Sequence, residues 1–227
     1  MSYLVLILTL VFAASPLVFP DFAGFDPGQY PVPQVDPPAQ PAGWAFSIWG
    51  LIYAWLVVSA IYGVARRRDD PAWADIRVPL AVSLAVGTIW LGVAALSPIW
   101  ATLLIWVMLI ASLVAYIRAP ATDRLLLMAP LGLYAGWLTA ASFVALGLLA
   151  AGYGLLSPIT AAWAVLVAVI VCGGLVWLAR GGTAFPAAIA WASAGIAAQN
   201  WETDLGWGAV GGAAIMIGLA LAGLRRT

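Results

Sequence analysis

The stretch IWATLLIWVMLIASLVAYI, residues 99–117, runs for nineteen residues without a charge. As a helix it would rise about 28 Å at 1.5 Å per residue, close to the roughly 30 Å hydrocarbon layer of a bilayer. Its apolar residues are continuous rather than alternating, which argues against a barrel strand. Helices and closed barrels are the only backbones that satisfy their own polar groups in lipid. The stretch therefore reads as a transmembrane helix, and the rest of the chain is read against it.

Working outward, the same length criterion gives further spans at 2–19, 42–65, 78–96, 125–150, 159–179, 183–199 and 206–224. Composition agrees, with 65% of the 227 residues hydrophobic and 8% charged, against about half and a quarter in soluble domains. The expected fold class is all-α: a polytopic transmembrane helical bundle of about eight spans. The first span ends in Ala13-Ala14-Ser15, as a secretory leader would, but no basic segment precedes its apolar run.

Eight spans put Arg66, Arg67, Arg68, Arg77, Arg118, Arg124, Arg180, Arg225 and Arg226 all on one side, and lysine is absent. The other side receives Asp21, Asp26, Asp36, Glu202 and Asp204. Positive charge is enriched in cytoplasmic loops. Both termini are therefore expected in the cytoplasm, and the chain in a bacterial inner membrane. A formal net charge of zero gives no basic footprint for a nucleic-acid partner.

Residues 20–41 hold Pro20, Pro27, Pro31, Pro33, Pro37, Pro38 and Pro41 and show no helical pattern. Proline at that density fixes φ and removes donors, so the segment is expected to be an extended outer loop, long enough to act as a lid. Span seven is built almost wholly of small residues, and span eight carries Gly208 and Gly212 four apart. Small residues let membrane helices approach closely, within the bundle or at a homodimer interface. Span seven is also short, so Gln199, Asn200, Glu202 and Asp204 are expected in a solvated turn, with a polar mouth as the alternative. The single Cys172 in span six reads as a packing residue.

Candidate ligand-binding residues come from spacing. Of the thirteen tryptophans, Trp44, Trp73, Trp100, Trp177, Trp201 and Trp207 fall near the interfaces, where an indole is most stable. Deeper in span two, Phe46, Trp49 and Tyr53 at i, i+3 and i+7 share one helix face, as do Tyr134 and Trp137 in span five. Facing each other, two such faces would suit a broad planar molecule. Catalysis has no comparable signal: no nucleophile beside a base, no metal-ligand spacing, no phosphate-binding glycine loop. No enzyme is expected.

Three stretches carry a family resemblance: an apolar first helix before a proline-rich loop, PAGWAFSIWGLIY at 41–53, and APLGLYAGWLTAAS at 129–142. Together they resemble the tryptophan-rich sensory protein family, TspO, also called translocator protein. The resemblance covers residues 1–150 and implies a five-helix membrane core that binds porphyrins and other aromatic ligands in a cavity capped by the loop after helix one. It implies that Trp44, Phe46, Trp49, Tyr53, Tyr134 and Trp137 line the pocket between spans two and five, under the lid at 20–41. Residues 151–227 would then be three additional helices. The asparagine that the family often places in helix three is absent, and Thr88 and Trp90 stand there instead, adding Trp90 to the wall.

The implied function is a membrane receptor or carrier for a hydrophobic planar ligand, a tetrapyrrole being the best fit. Without histidine, a metal-free or already coordinated porphyrin suits the chain better than one needing an iron ligand. Burying about 300 Å² of its apolar surface at ~25 cal/mol/Å² gives roughly 7 kcal/mol before ordering costs. Two alternatives remain: an accessory subunit of a larger, pigment-containing membrane complex, and a small-molecule transporter. The partners are then the lipid bilayer, a hydrophobic small molecule, and in the subunit case other membrane proteins.

Overall fold

The computed structural model describes residues 1–19 and 22–225. Pro20 and Asp21, counted above with the outer loop, and Arg226, counted with the arginines, lie outside the described residues. Eight α-helices are present among them: α1 (Ser2–Ala14), α2 (Ile48–Arg66), α3 (Pro71–Leu96), α4 (Pro98–Arg118), α5 (Ala129–Gly152), α6 (Pro158–Arg180), α7 (Ala184–Gln199) and α8 (Asp204–Arg225). Six helical segments, all but α1 and α7, are long and apolar enough to cross a membrane.

The helix boundaries follow from caps and prolines. Pro71, Pro98 and Pro158 each occupy the first turn, where a missing N–H costs nothing, behind Asp70, Ser97 and Ser157, whose side chains accept backbone N–H groups. Two spans depart from expectation. Helix α3 begins seven residues before 78, because the Asp70 cap and Pro71 start a helix through polar residues that hydropathy leaves out. Helix α1 stops at Ala14 and passes into a tight turn at Ser15–Leu17, because Pro16 removes a backbone donor.

Helix α5 is the axis of the bundle, with 72% of its apolar window buried, against 33–50% in the other long helices. It packs against α2 and α4 from the first half of the chain and against α6 and α7 from the second, with α1 and α3 attached through α2 and α4, and α8 through α6 and α7. Close approach of α7 depends on Gly136, where a side-chain carbon would collide with the Phe185 carbonyl oxygen. On α8, Gly208 meets the Trp163 ring and Gly212 meets Ile170 and Leu166 of α6. That small-residue face, open above to a homodimer reading, is thus used within the chain.

The arginine end is tied by one carboxylate. Asp123, in the α4–α5 turn, accepts Arg67 Nε at 2.8 Å and Nη2 at 3.0 Å, Trp73 Nε1 at 2.8 Å and the Tyr62 hydroxyl at 3.1 Å. These bonds, the Arg67 pair first, hold its carboxyl below the usual carboxylate range. Trp73 and Trp177 are buried against this end of the bundle, and Trp177 Nε1 donates to the Gly182 carbonyl at 3.1 Å. Arg180 closes the same end through the Tyr116 and Ala119 carbonyl oxygens.

Candidate ligand-binding cavity

The expected slot between α2 and α5 is filled by its own rings. Phe46 and Trp137 meet edge to face at 5.8 Å, Trp49 and Trp137 at 6.3 Å, and Trp49 and Tyr134 at 6.3 Å. Edge-to-face packing satisfies the ring quadrupoles and leaves no gap for a flat guest. Open space lies on the other flank of the same α2 face, toward α1 and α3.

There a cavity of about 490 Å³ is walled by Phe12, Ala13 and Pro16 after and along α1, Phe46, Trp49, Gly50 and Tyr53 at α2, and Gly87, Trp90 and Leu91 of α3. Ile105 and Met108 of α4 and Leu138 of α5 form its floor, and Phe22 and Ala23 of the loop form its roof. A side chamber of about 40 Å³, sharing Phe22, Phe46, Trp90 and Ile105 with it, extends between the loop and α5 and is lined by Gln40, Trp137 and Ala141.

The structure therefore gathers Phe46, Trp49, Tyr53 and Trp90 on the main cavity and sets Trp137 on its side chamber. Tyr134 lies outside both, fully buried, its hydroxyl 2.8 Å from Ser83 Oγ, which in turn reaches the Met108 carbonyl at 2.9 Å. A phenol in lipid needs a partner, and Ser83 supplies it. Trp44 stands away from the cavity, half exposed, with its ring against Trp191 at 4.9 Å. Trp44, expected from the resemblance alone, lies two residues before Phe46 in the tight turn at Gly43–Ser47 and so faces away from it.

Two polar atoms are buried without a partner among the described residues, the Tyr30 hydroxyl and Trp137 Nε1. Trp90, by contrast, donates to the Ala101 carbonyl at 2.9 Å and is committed to α4. The Trp137 indole N–H is therefore a buried donor that no described residue satisfies.

The loop is ordered by contacts at three helix ends. Asp26 and Gln29 cap the turn Pro27–Gln29, and Gln29 Nε2 reaches the Ala95 carbonyl at the end of α3 at 2.9 Å. Val32 N–H donates to the Gly152 carbonyl of α5 at 2.9 Å, and the Tyr30 ring lies against Gly152, its phenol pushed well above the usual range by burial. Helix α7 takes the third point: Asn200 Nδ2 donates to Pro38 at 2.9 Å, Ala42 N–H to Gly195 at 3.0 Å, and Trp191 Nε1 to Ala45 at 2.8 Å. Asn200 thus turns inward to the loop, so the turn after α7 is neither wholly solvated nor a mouth.

The sequence model of the TSPO-like protein family matches residues 4–222. The chain belongs to the TSPO-like family. The match runs through α6, α7 and α8, so the three C-terminal helices lie inside the matched region rather than beyond it. No curated protein and no solved structure matches the TSPO-like chain. Sequence reasoning missed the α1 and α3 walls of the cavity, Phe12, Gly87 and Leu91, and the α7 contacts on the loop. Phe12, Phe19, Phe22 and Phe25 spread aromatic rings through the α1–loop junction, and that concentration was the available signal.

Proposed function

We propose that this TSPO-like membrane protein is a receptor or carrier for a hydrophobic planar ligand of the tetrapyrrole class, held in the cavity between α1, α2 and α3 beneath the loop. The observation that carries this reading is an aromatic cavity of about 490 Å³, within the roughly 300–1,000 Å³ of small-molecule sites. Phe12, Trp49, Tyr53 and Trp90 offer ring surfaces to a flat guest, and the Trp137 N–H offers a donor to a peripheral carbonyl or carboxylate. Among the described residues no group of three or more His, Cys, Asp or Glu could hold a metal ion. Near the guest the only side-chain iron ligands on the main wall would be Met108 and Tyr53. The residues suit a metal-free or already coordinated tetrapyrrole.

Titrating the detergent-purified protein with protoporphyrin while following tryptophan emission tests this. Saturable quenching is expected, with Trp49→Phe and Trp90→Phe each reducing its amplitude. Absence of saturable quenching in the folded protein overturns the reading. On the strength of the arginine asymmetry we also place both termini in the cytoplasm of a bacterial cell. Cysteine put at Arg68 (R68C) should then stay unlabelled by a membrane-impermeant reagent applied from outside, and labelling would reverse the orientation.

A further inference from the structure

A separate small space lies toward the arginine end, between α1, α2 and α3. It has a volume of about 20 Å³, with Ser2, Thr9, Ser59 and Arg77 as its polar walls beside the Trp73 ring. A single water needs roughly 10–15 Å³ measured this way, so the space admits one small guest.

Its charge is uncompensated. Arg77 is 8% exposed, donates one hydrogen bond, from Nη2 to the Arg67 carbonyl at 2.6 Å, and forms no ion pair with any described residue. The Asp123 carboxylate, which reaches this region through Trp73, is engaged by Arg67 and is not part of the chamber wall. No carboxylate lines the chamber at all. A guanidinium withdrawn from water draws a counter-charge strongly in a low dielectric, and a neutral guest leaves that charge in place.

Three hydroxyl-bearing side chains line the chamber beside Arg77. Thr9 spends its hydroxyl proton on the Val5 carbonyl at 2.7 Å, and Ser2 spends its own on the Arg68 carbonyl at 3.3 Å. Ser59 is 5% exposed and lines the same chamber from α2. The chamber wall thus holds one guanidinium-bearing side chain and three hydroxyl-bearing ones, two of the hydroxyls already donating to carbonyls.

We propose that this chamber is a binding site for one monovalent anion of halide size, held by Arg77 and Ser59. Its volume excludes polyatomic anions such as gluconate. Bound there, the ion neutralises Arg77 of α3 and bridges it to Ser59 of α2, two helices that each pack on α1. This site is separate from the aromatic cavity, and neither reading depends on the other.

The test uses the full chain in detergent, melted in sodium bromide and in sodium gluconate at equal ionic strength. Bromide is expected to raise the melting temperature by a few degrees, saturably, and Ser59→Ala (S59A) to abolish the difference. Crystals grown in bromide and measured at the bromine edge should show an anomalous peak in contact with Arg77 and Ser59. That peak decides where the two readouts disagree or where S59A fails to fold. No peak in the chamber, or bromide only at surface arginines, overturns the proposal and leaves water as the occupant.

Discussion

Tyr134 and Trp137 stand three residues apart on α5, and their polar atoms meet different fates. The phenol is paired to Ser83 at 2.8 Å, whereas the indole N–H has no partner beside the side chamber. One is paired within the bundle, and the other has no partner among the described residues. Trp137→Phe keeps the ring and removes the donor, so it should weaken binding of a carboxylate-bearing porphyrin roughly five-fold, the worth of about 1 kcal/mol for one hydrogen bond, while leaving the melting temperature near wild type. Isothermal titration beside a melting curve separates the two effects. Asp123 behaves in the opposite sense. Its folded-state pKa is depressed, so the stability it contributes is present above the ordinary carboxylate range and is lost as pH falls through the depressed value. Melting curves should therefore fall off in acid, and Asp123→Asn should lower the neutral-pH melting temperature and flatten that acid limb. The spacing rule found the aromatic residues themselves, because i, i+3 and i+7 geometry is local. It could not tell paired from unpaired polar atoms, since Ser83 and Tyr134 lie 51 residues apart.

At the level of elements, hydropathy located all eight helices, six of them long and apolar enough to cross a membrane and α1 and α7 shorter. It misjudged α3 and α1, whose ends are set by Asp70 and Pro16 instead. The cavity was displaced for a related reason: periodicity says which residues share a face, not whether the opposing face fills the gap. Rings from α2 and α5 interlock, and the space opens beside them against α1. Helix α7 shows what pattern alone leaves dark, since its small residues are read as packing while Trp191, Gly195 and Asn200 fasten the loop base at residues 38–45. Asn200→Ala removes one of those ties, at about 1 kcal/mol. Hydrogen exchange of residues 38–45 should quicken in that variant while the Val32 amide, bonded to the Gly152 carbonyl, stays protected. Equal exchange along the whole loop would show that α7 does not hold it.

Taken whole, the molecule has two ends of different character. The arginine end is closed by Asp123, Arg180 and buried indoles, and the opposite end carries an ordered loop over an aromatic hollow. This polarity was legible in the charge distribution once eight spans were counted, whereas the hollow had to be seen in three dimensions. The central claim is that the hollow between α1, α2 and α3 receives a flat guest. The most direct measurement is a crystal structure of the protein grown with protoporphyrin. Density for the macrocycle between Phe12, Trp49 and Trp90, under Phe22 and with one carboxylate toward Trp137, is the predicted result. A porphyrin found only on the lipid-facing surface, with the hollow occupied by rearranged side chains, would contradict it.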